Sequence, residues 1–283
     1  MKKINGLLLA TLLSASLFAK EEEHHAHEGS NNIKINYETL DFSNSKKKKD
    51  GKRYGIEVDH EDAKHHLQLY YENTKTHTTK MVPKDLKVDK YALKYQYKVA
   101  PKERLTLLYS TIDDNLMKET DGGKIYGAGY SKNGLGFTQY LSDYPHFDVY
   151  QSDVKYGFKK EGVKTTFIGK YIHLKDKNSN NFSKNAKKDY FTAGVKLHGH
   201  YNGYHLGAGA YVGKRIFAVM KDGFKVQHHA MEFKETYMVG VGHDLGENLV
   251  AHLRYVYQKA KEVPMNIDNV KVDNLSFDVV YKF

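Results

Sequence analysis

The sequence predicts an all-β chain, a closed antiparallel up-and-down transmembrane β-barrel of about 14 strands. Three observations predict it. Aromatic and aliphatic residues alternate with polar ones at a period of two along most of the chain. Short connections between these segments alternate with longer ones. The last segment, Leu275-Ser-Phe-Asp-Val-Val-Tyr-Lys-Phe283, keeps the period to its final residue.

Composition points the same way. Only 40% of the 283 residues are hydrophobic, which leaves little to fill a single dry core. A disordered chain would be polar too, but it would lack the 23 Tyr and 13 Phe found here. A wide barrel reconciles the two, with an apolar, aromatic outer face and a wet, polar inner one. There is no Cys, so disulfides and thiolate metal sites are excluded. The formal charge of +10 comes from lysines spread along the chain among acids. That spread favours an electropositive lumen or rim over a nucleic-acid surface, and no nucleic-acid partner is expected.

The N-terminus reads as an export signal over residues 1–19. Lys2 and Lys3 precede the apolar run Leu7–Leu13, and Ser14–Ala19 leads to a cut after Ala19. Leu17 departs from the small residue usual three places before a cut. The run is shorter than the roughly 20 residues of a spanning helix, and no longer one follows. The mature chain carries about +8 by the same count. Residues 20–30 read as a flexible His/Glu-rich segment, and 31–283 as the barrel. His24, His25 and His27 beside Glu21–Glu23 suit borderline metals, although a solvated tail has no fixed geometry. No cofactor is expected.

Strands are predicted at 31–43, 52–60, 64–75, 88–99, 103–113, 123–131, 134–143, 147–158, 162–174, 189–201, 204–215, 232–244, 248–259 and 270–283. In the fourth, Tyr91, Leu93, Tyr95, Tyr97 and Val99 share one face, opposite Lys94, Gln96 and Lys98. A helix would scatter them. Tight turns fall at 61–63, 100–102, 132–134, 160–162, 202–203 and 246–247. Longer polar connections fall at 44–51, 76–87, 114–122, 175–188, 216–231 and 260–269, with a shorter one at Tyr144-Pro145-His146. A soluble sandwich would need inward faces able to fill a core, and neither face of these strands reads that way.

The ending carries a resemblance. Phe277, Val279, Tyr281 and Phe283 lie on one face with Leu275, and the chain stops on Phe283. This resembles the C-terminal strand of bacterial outer-membrane proteins, in which that pattern is the signal read by the barrel-assembly machinery. In size and strand count the chain resembles monomeric 14-stranded porins. The resemblance implies the outer membrane as location, lipid and lipopolysaccharide as surroundings, periplasmic short turns and outer long loops. It also implies passive diffusion of ions and small polar solutes.

The predicted lumen face carries Lys34, Arg53, Lys94, Lys98, Arg104, Lys155, Lys196, Lys234, Arg254 and Lys282. Acids there include Glu38, Glu57, Asp59, Glu72, Asp153 and Asp278. Opposed charges can brace the wall across neighbouring strands. The cationic excess predicts weak anion preference. Loops 44–51 and 216–231 are expected to set the open radius by folding inward. Gly127, Gly129, Gly207 and Gly209 mark curvature, close packing of an inserted loop, or relief of crowding.

Sixteen His stand out. His65 and His66 fall at the first periplasmic turn. His198, His200, His205 and His252 are expected to face inward near the periplasmic end. Two other functions compete with the channel. A barrel protease or lipase would need a nucleophile and base clustered at the rim, where His146, His173, Asp143 and Asp148 lie. A surface adhesion protein would use its loops, and Lys46–Lys49 offers a polyanion contact.

Overall fold

The computed structural model describes residues 29–116, 119–177 and 186–283. The expected signal peptide (1–19) and the tail histidines His24, His25 and His27 lie outside the described residues. The strands are β1 (Ser30–Ser43), β2 (Lys48–Glu61), β3 (His65–Thr78), β4 (Leu86–Ala100), β5 (Glu103–Asp114), β6 (Lys124–Lys132), β7 (Leu135–Asp143), β8 (Phe147–Lys160), β9 (Val163–Asp176), β10 (Asp189–Tyr201) and β11 (Tyr204–Arg215). After them come β12 (Val219–Met220), β13 (Lys225–Val226), β14 (Met231–Asp244), β15 (Leu249–Glu262) and β16 (Ile267–Lys282). All but β12 and β13 form one closed antiparallel barrel of 14 strands. β12 and β13 make a small ribbon of their own inside the β11–β14 connection.

The barrel closes between β1 and β16, from Asn32 opposite Lys282 to Ser43 opposite Lys271. Asn31 N–H donates to the Phe283 carbonyl and Phe283 N–H to the Asn31 carbonyl, at 3.2 and 3.0 Å. Both ends of the barrel chain therefore lie at the rim that carries the tight turns. At the β10–β11 turn Asn202 and Gly203 have φ of 47° and 75°. Two positive φ values in a two-residue hairpin match the right-handed strand twist. At the β2–β3 turn the Asp62 carboxylate accepts from the backbone N–H groups of His65 (2.6 Å) and Lys64 (2.8 Å). Those bonds hold its pKa below the usual carboxylate range.

Side-chain alternation sorts the barrel as the sequence predicts. Leu93, Leu107, Val239, Leu253 and Phe277 face outward and are exposed. Aromatic rings edge this band on both sides. Towards the long loops sit Tyr37–Tyr54, Tyr71–Tyr91 and Tyr171–Phe191, with ring centroids 4.8–5.2 Å apart. Towards the tight turns sit Tyr156–Phe158 and Tyr281–Phe283, both at 6.0 Å. Tyr91 and Tyr97 on β4 belong to opposite belts, roughly 20 Å apart along an extended strand. That spacing suits a lipid-facing band bounded by aromatic girdles.

Two expectations need correction. Connections 44–51 and 260–269 shrink to 44–47 and 263–266, because β2, β15 and β16 run on past the lipid-facing band. Beyond that band outward residues need not be apolar, so Lys49 and Asp50 read as loop although they are strand. Residues 44–47 do not fold inward. Ser45 Oγ donates to Glu262 at 2.7 Å and Lys46 N–H at 3.1 Å, which pins them to the rim. Lys48, inside the lysine run, is buried.

The inner face is also not uniformly wet. On β4–β10, towards the long loops, Ile112, Ile125, Tyr140, Phe147 and Ile172 point inward and form a dry core. A second apolar cluster on β1 and β14–β16 includes Leu40, Phe42, Phe233 and Val272. Gly127 lies under the Tyr140 ring, and a Cβ there would meet it at 2.8 Å. This glycine relieves crowding.

Replacing Leu253 by Arg puts a charge on the lipid-facing band, and the expected cost is about 2–4 kcal/mol. Reversible urea unfolding from lipid vesicles measures it. The neighbouring Arg254→Lys, on the inner face, should change stability far less.

Candidate functional site: the lumen and its inserted loop

The two inner clusters exist because a segment of chain lies between them. Residues 216–230 leave β11, enter the lumen and return to β14. Ile216, Phe217 and Val219 are fully buried against the β4–β10 core. Phe217 packs on Phe147 with ring centroids 4.9 Å apart. Gln151 of β8 clamps the backbone from both sides. Its Nε2 donates to the Val219 carbonyl and its Oε1 accepts from Val219 N–H, each at 2.8 Å. Lys170 Nζ donates to the same carbonyl at 3.1 Å while pairing with Asp153.

The tip of the loop is a 3-10 turn, Lys221–Gly223. Asp222 pairs with Lys155 of β8. The Phe224 ring lies 4.8 Å from Lys94 Nζ and 5.6 Å from the Tyr70 ring. Lys225 Nζ reaches Glu38 at 2.6 Å. The return strand then seats His229 edge-on to Phe42, with centroids 5.7 Å apart. Gly223 has φ 110° and faces Leu108, so a side chain there would be strained and crowded.

The charged wall on β1–β4 and β15–β16 is braced. Arg53 bridges Glu38 (2.9 Å) and Glu72 (3.1 Å), and Lys90 also binds Glu72 (2.6 Å). Lys34 lies 3.9 Å from Glu57 and 3.8 Å from Asp278, and Arg254 lies 3.8 Å from Asp278. Asn36 donates to the same carboxylate. Lys98 and Arg104 sit at the turn-side mouth around Glu61, at 2.9 and 3.5 Å. Lys196 stands over the Tyr211 ring. Lys234 does not join this row. It is the extra residue of a β-bulge between Phe233 and Glu235, and it pairs with the exposed Asp268 instead.

A cavity of about 370 Å³ lies between the loop and the wall of β1, β11 and β14–β16. Arg53, Lys196, Arg215, Lys221, Lys225 and Arg254 line it, and no Asp or Glu among the described residues does. Arg215 is fully buried. Its Nε donates to Gln227 at 3.1 Å and its Nη2 donates to Thr236. Its third nitrogen, Nη1, has no hydrogen-bond partner among the described residues. The guanidinium lies 5.5 Å from both the Tyr211 and Phe233 rings. It has no carboxylate partner among the described residues.

The sequence reading did not single out Arg215, Gln151, Lys170, Lys221 or Lys225. One signal for them was present, the apolar run Ile216-Phe-Ala-Val-Met220 inside a supposedly polar connection. Three of the rim residues weighed for catalysis, Asp143, Asp148 and His173, are engaged in ion pairs. Asp143 and Asp148 share Lys177, and His173 bonds Asp189 at 2.8 Å. The backbone carbonyl of His146 accepts from Lys177 N–H. Phe277, Tyr281 and Phe283 stand exposed on the outer wall.

Fold and lumen together define a closed 14-stranded antiparallel β-barrel with a segment of its own chain folded into the lumen. No family model and no curated protein matches the sequence. Among solved structures the chain is similar to the Acinetobacter baumannii outer membrane protein Omp33, at 7% identity and TM-score 0.52, covering 90% of this chain and 99% of that one. It is also similar to a Pseudomonas aeruginosa FadL homologue, at 9% identity and TM-score 0.53, covering 90% of each.

Gly223→Val should dislodge the loop tip and lower the Tm of the purified barrel by several degrees, at about 2–4 °C per kcal/mol for a domain this size. A scanning calorimetry trace unchanged from wild type would refute this view of the tip.

Proposed function

We propose that the protein is a porin-like channel for ions and small polar solutes. Its passage is narrowed by residues 216–230 and weakly prefers anions. The lining of the 370 Å³ cavity carries the preference, since Lys196, Arg215 and Lys221 there have no carboxylate partner among the described residues. Charged linings bias passage toward ions of opposite sign. A guanidinium buried without a carboxylate is costly by itself, and an entering anion relieves that cost. The braced wall adds little to selectivity, since its charges are paired. The rigid dock of Ile216–Val219 keeps the constriction in place.

Two further assignments belong to this reading. Phe277, Val279, Tyr281 and Phe283 present the assembly signal to the barrel-assembly machinery. The exposed Lys46 and Lys49 meet lipopolysaccharide at the outer rim.

Planar bilayers under a potassium chloride gradient test the channel. Stepwise conductance with a reversal potential of anion-selective sign is expected. Arg215→Gln and Lys221→Gln should each move the permeability ratio toward unity. Silent membranes across many insertions, or a cation-selective sign, would overturn the proposal. For assembly, removal of Phe283 should reduce the amount of folded barrel in the outer membrane several-fold while leaving refolding into detergent intact. Equal amounts in cells would reject that role.

A further inference from the structure

The turn-side mouth of the lumen holds a cluster that the channel reading does not use. His200 near the end of β10 and His205 at the start of β11 face each other in register across the Asn202–Gly203 turn. Their ring centroids are 4.5 Å apart. Asp244, the last residue of β14, points between them. His205 Nε2 lies 2.9 Å from one carboxylate oxygen and His200 Nε2 3.3 Å from the other. Asp244 N–H donates to the Gly203 carbonyl at 2.9 Å, which locks the strand end to the turn. Two more imidazoles stand close by on the same inner face. His198 and His252 have ring centroids 6.0 and 5.5 Å from that of His205.

We propose that His200, His205 and Asp244 form a binding site for a borderline divalent transition metal of the zinc, nickel or copper class. The donor atoms of the three residues all lie within 4.8 Å of one another. A tetrahedral ion with bonds of about 2.0–2.1 Å needs donors roughly 3.4 Å apart. Small side-chain rotations bring these donors to that spacing. Two imidazoles and one carboxylate suit borderline ions and disfavour magnesium and calcium, which take oxygen donors. The fourth position is open to water, with His198 and His252 within reach of a modest movement. Rigid strands flank the two-residue turn, so the backbone is set before any ion arrives. The site faces the lumen, and an ion held there adds positive charge at the periplasmic entrance.

This assignment does not depend on whether the barrel conducts. Isothermal titration of Zn²⁺, Ni²⁺ and Cu²⁺ into the EDTA-stripped, detergent-solubilised full chain tests it. A variant with His24, His25 and His27 all changed to Gln removes the tail as a competing binder. That variant should still bind one ion per barrel. His205→Gln and Asp244→Asn introduced into it should each weaken binding by at least about tenfold. His243→Gln, on the outer face of the same mouth and stacked on Tyr204, should leave binding unchanged. Circular dichroism confirms that each variant keeps its β-signal. Absence of binding in the tail-substituted chain, or undiminished binding by the His205 and Asp244 variants, would overturn the proposal.

Discussion

Closure of the sheet is the constraint from which the other features follow. Hydrocarbon offers no partner to a free backbone N–H or C=O, so a sheet survives there only without edges. The β1–β16 seam removes the last edge, with register kept from Asn32–Lys282 to Ser43–Lys271. Once closed, the wall has a lipid side and a lumen side, and the period of two assigns each residue to one of them. The cost of closing with 14 strands is width. Eight strands leave an interior that side chains alone can fill, and diameter grows with strand number. The wider lumen here needs an occupant or stays open.

Residues 216–230 are that occupant, and the wall is built unequally to hold them. The β4–β10 side is apolar towards the long loops and buries Ile216, Phe217 and Val219. Full burial of each is worth about 1.5–3 kcal/mol. Gln151 satisfies both backbone groups of Val219 in the dry region, where an unmet one would be expensive. The opposite side is charged on β1–β3 and apolar only at its loop-side end. The loop therefore docks firmly on one wall and leaves its cavity against the other. Any open path past the loop lies beside the cations of Arg215, Lys221 and Lys225.

The wall was legible in the sequence and the interior much less so. Lipid imposes one simple demand on the outer face, and Tyr91, Leu93, Tyr95 and Tyr97 answer it residue by residue. The inner face answers to whatever lies inside, which local pattern does not encode. Ile112, Ile125 and Ile172 are inward apolar residues whose partners sit more than 40 positions away in 216–219. Alternation also fails wherever a bulge shifts the phase. Lys234 falls on the inner parity, yet the bulge between Phe233 and Glu235 turns Phe233 inward and releases Lys234 to Asp268. At the ends of the strands polarity misled in another way. Lys48–Asp50 looked like loop because lipid no longer selects the outward residues there.

Arg215 shows how fold and function meet in one side chain. It stands where β11 gives way to the loop, opposite Phe233 where the loop returns, with a register irregularity beside each. Its bonds to Gln227 and Thr236 tie the returning segment to β14, so it has a structural task. A neutral donor of similar shape would perform that task without burying a charge. The charge is only partly offset by the Tyr211 and Phe233 faces, since a cation–π contact contributes about 0.5–2 kcal/mol. The guanidinium has no carboxylate partner among the described residues, and it lines the cavity together with Lys196 and Lys221, whereas Arg53, Lys225 and Arg254 are paired. On the channel reading proposed above, mobile anions from solution would offset that charge most simply.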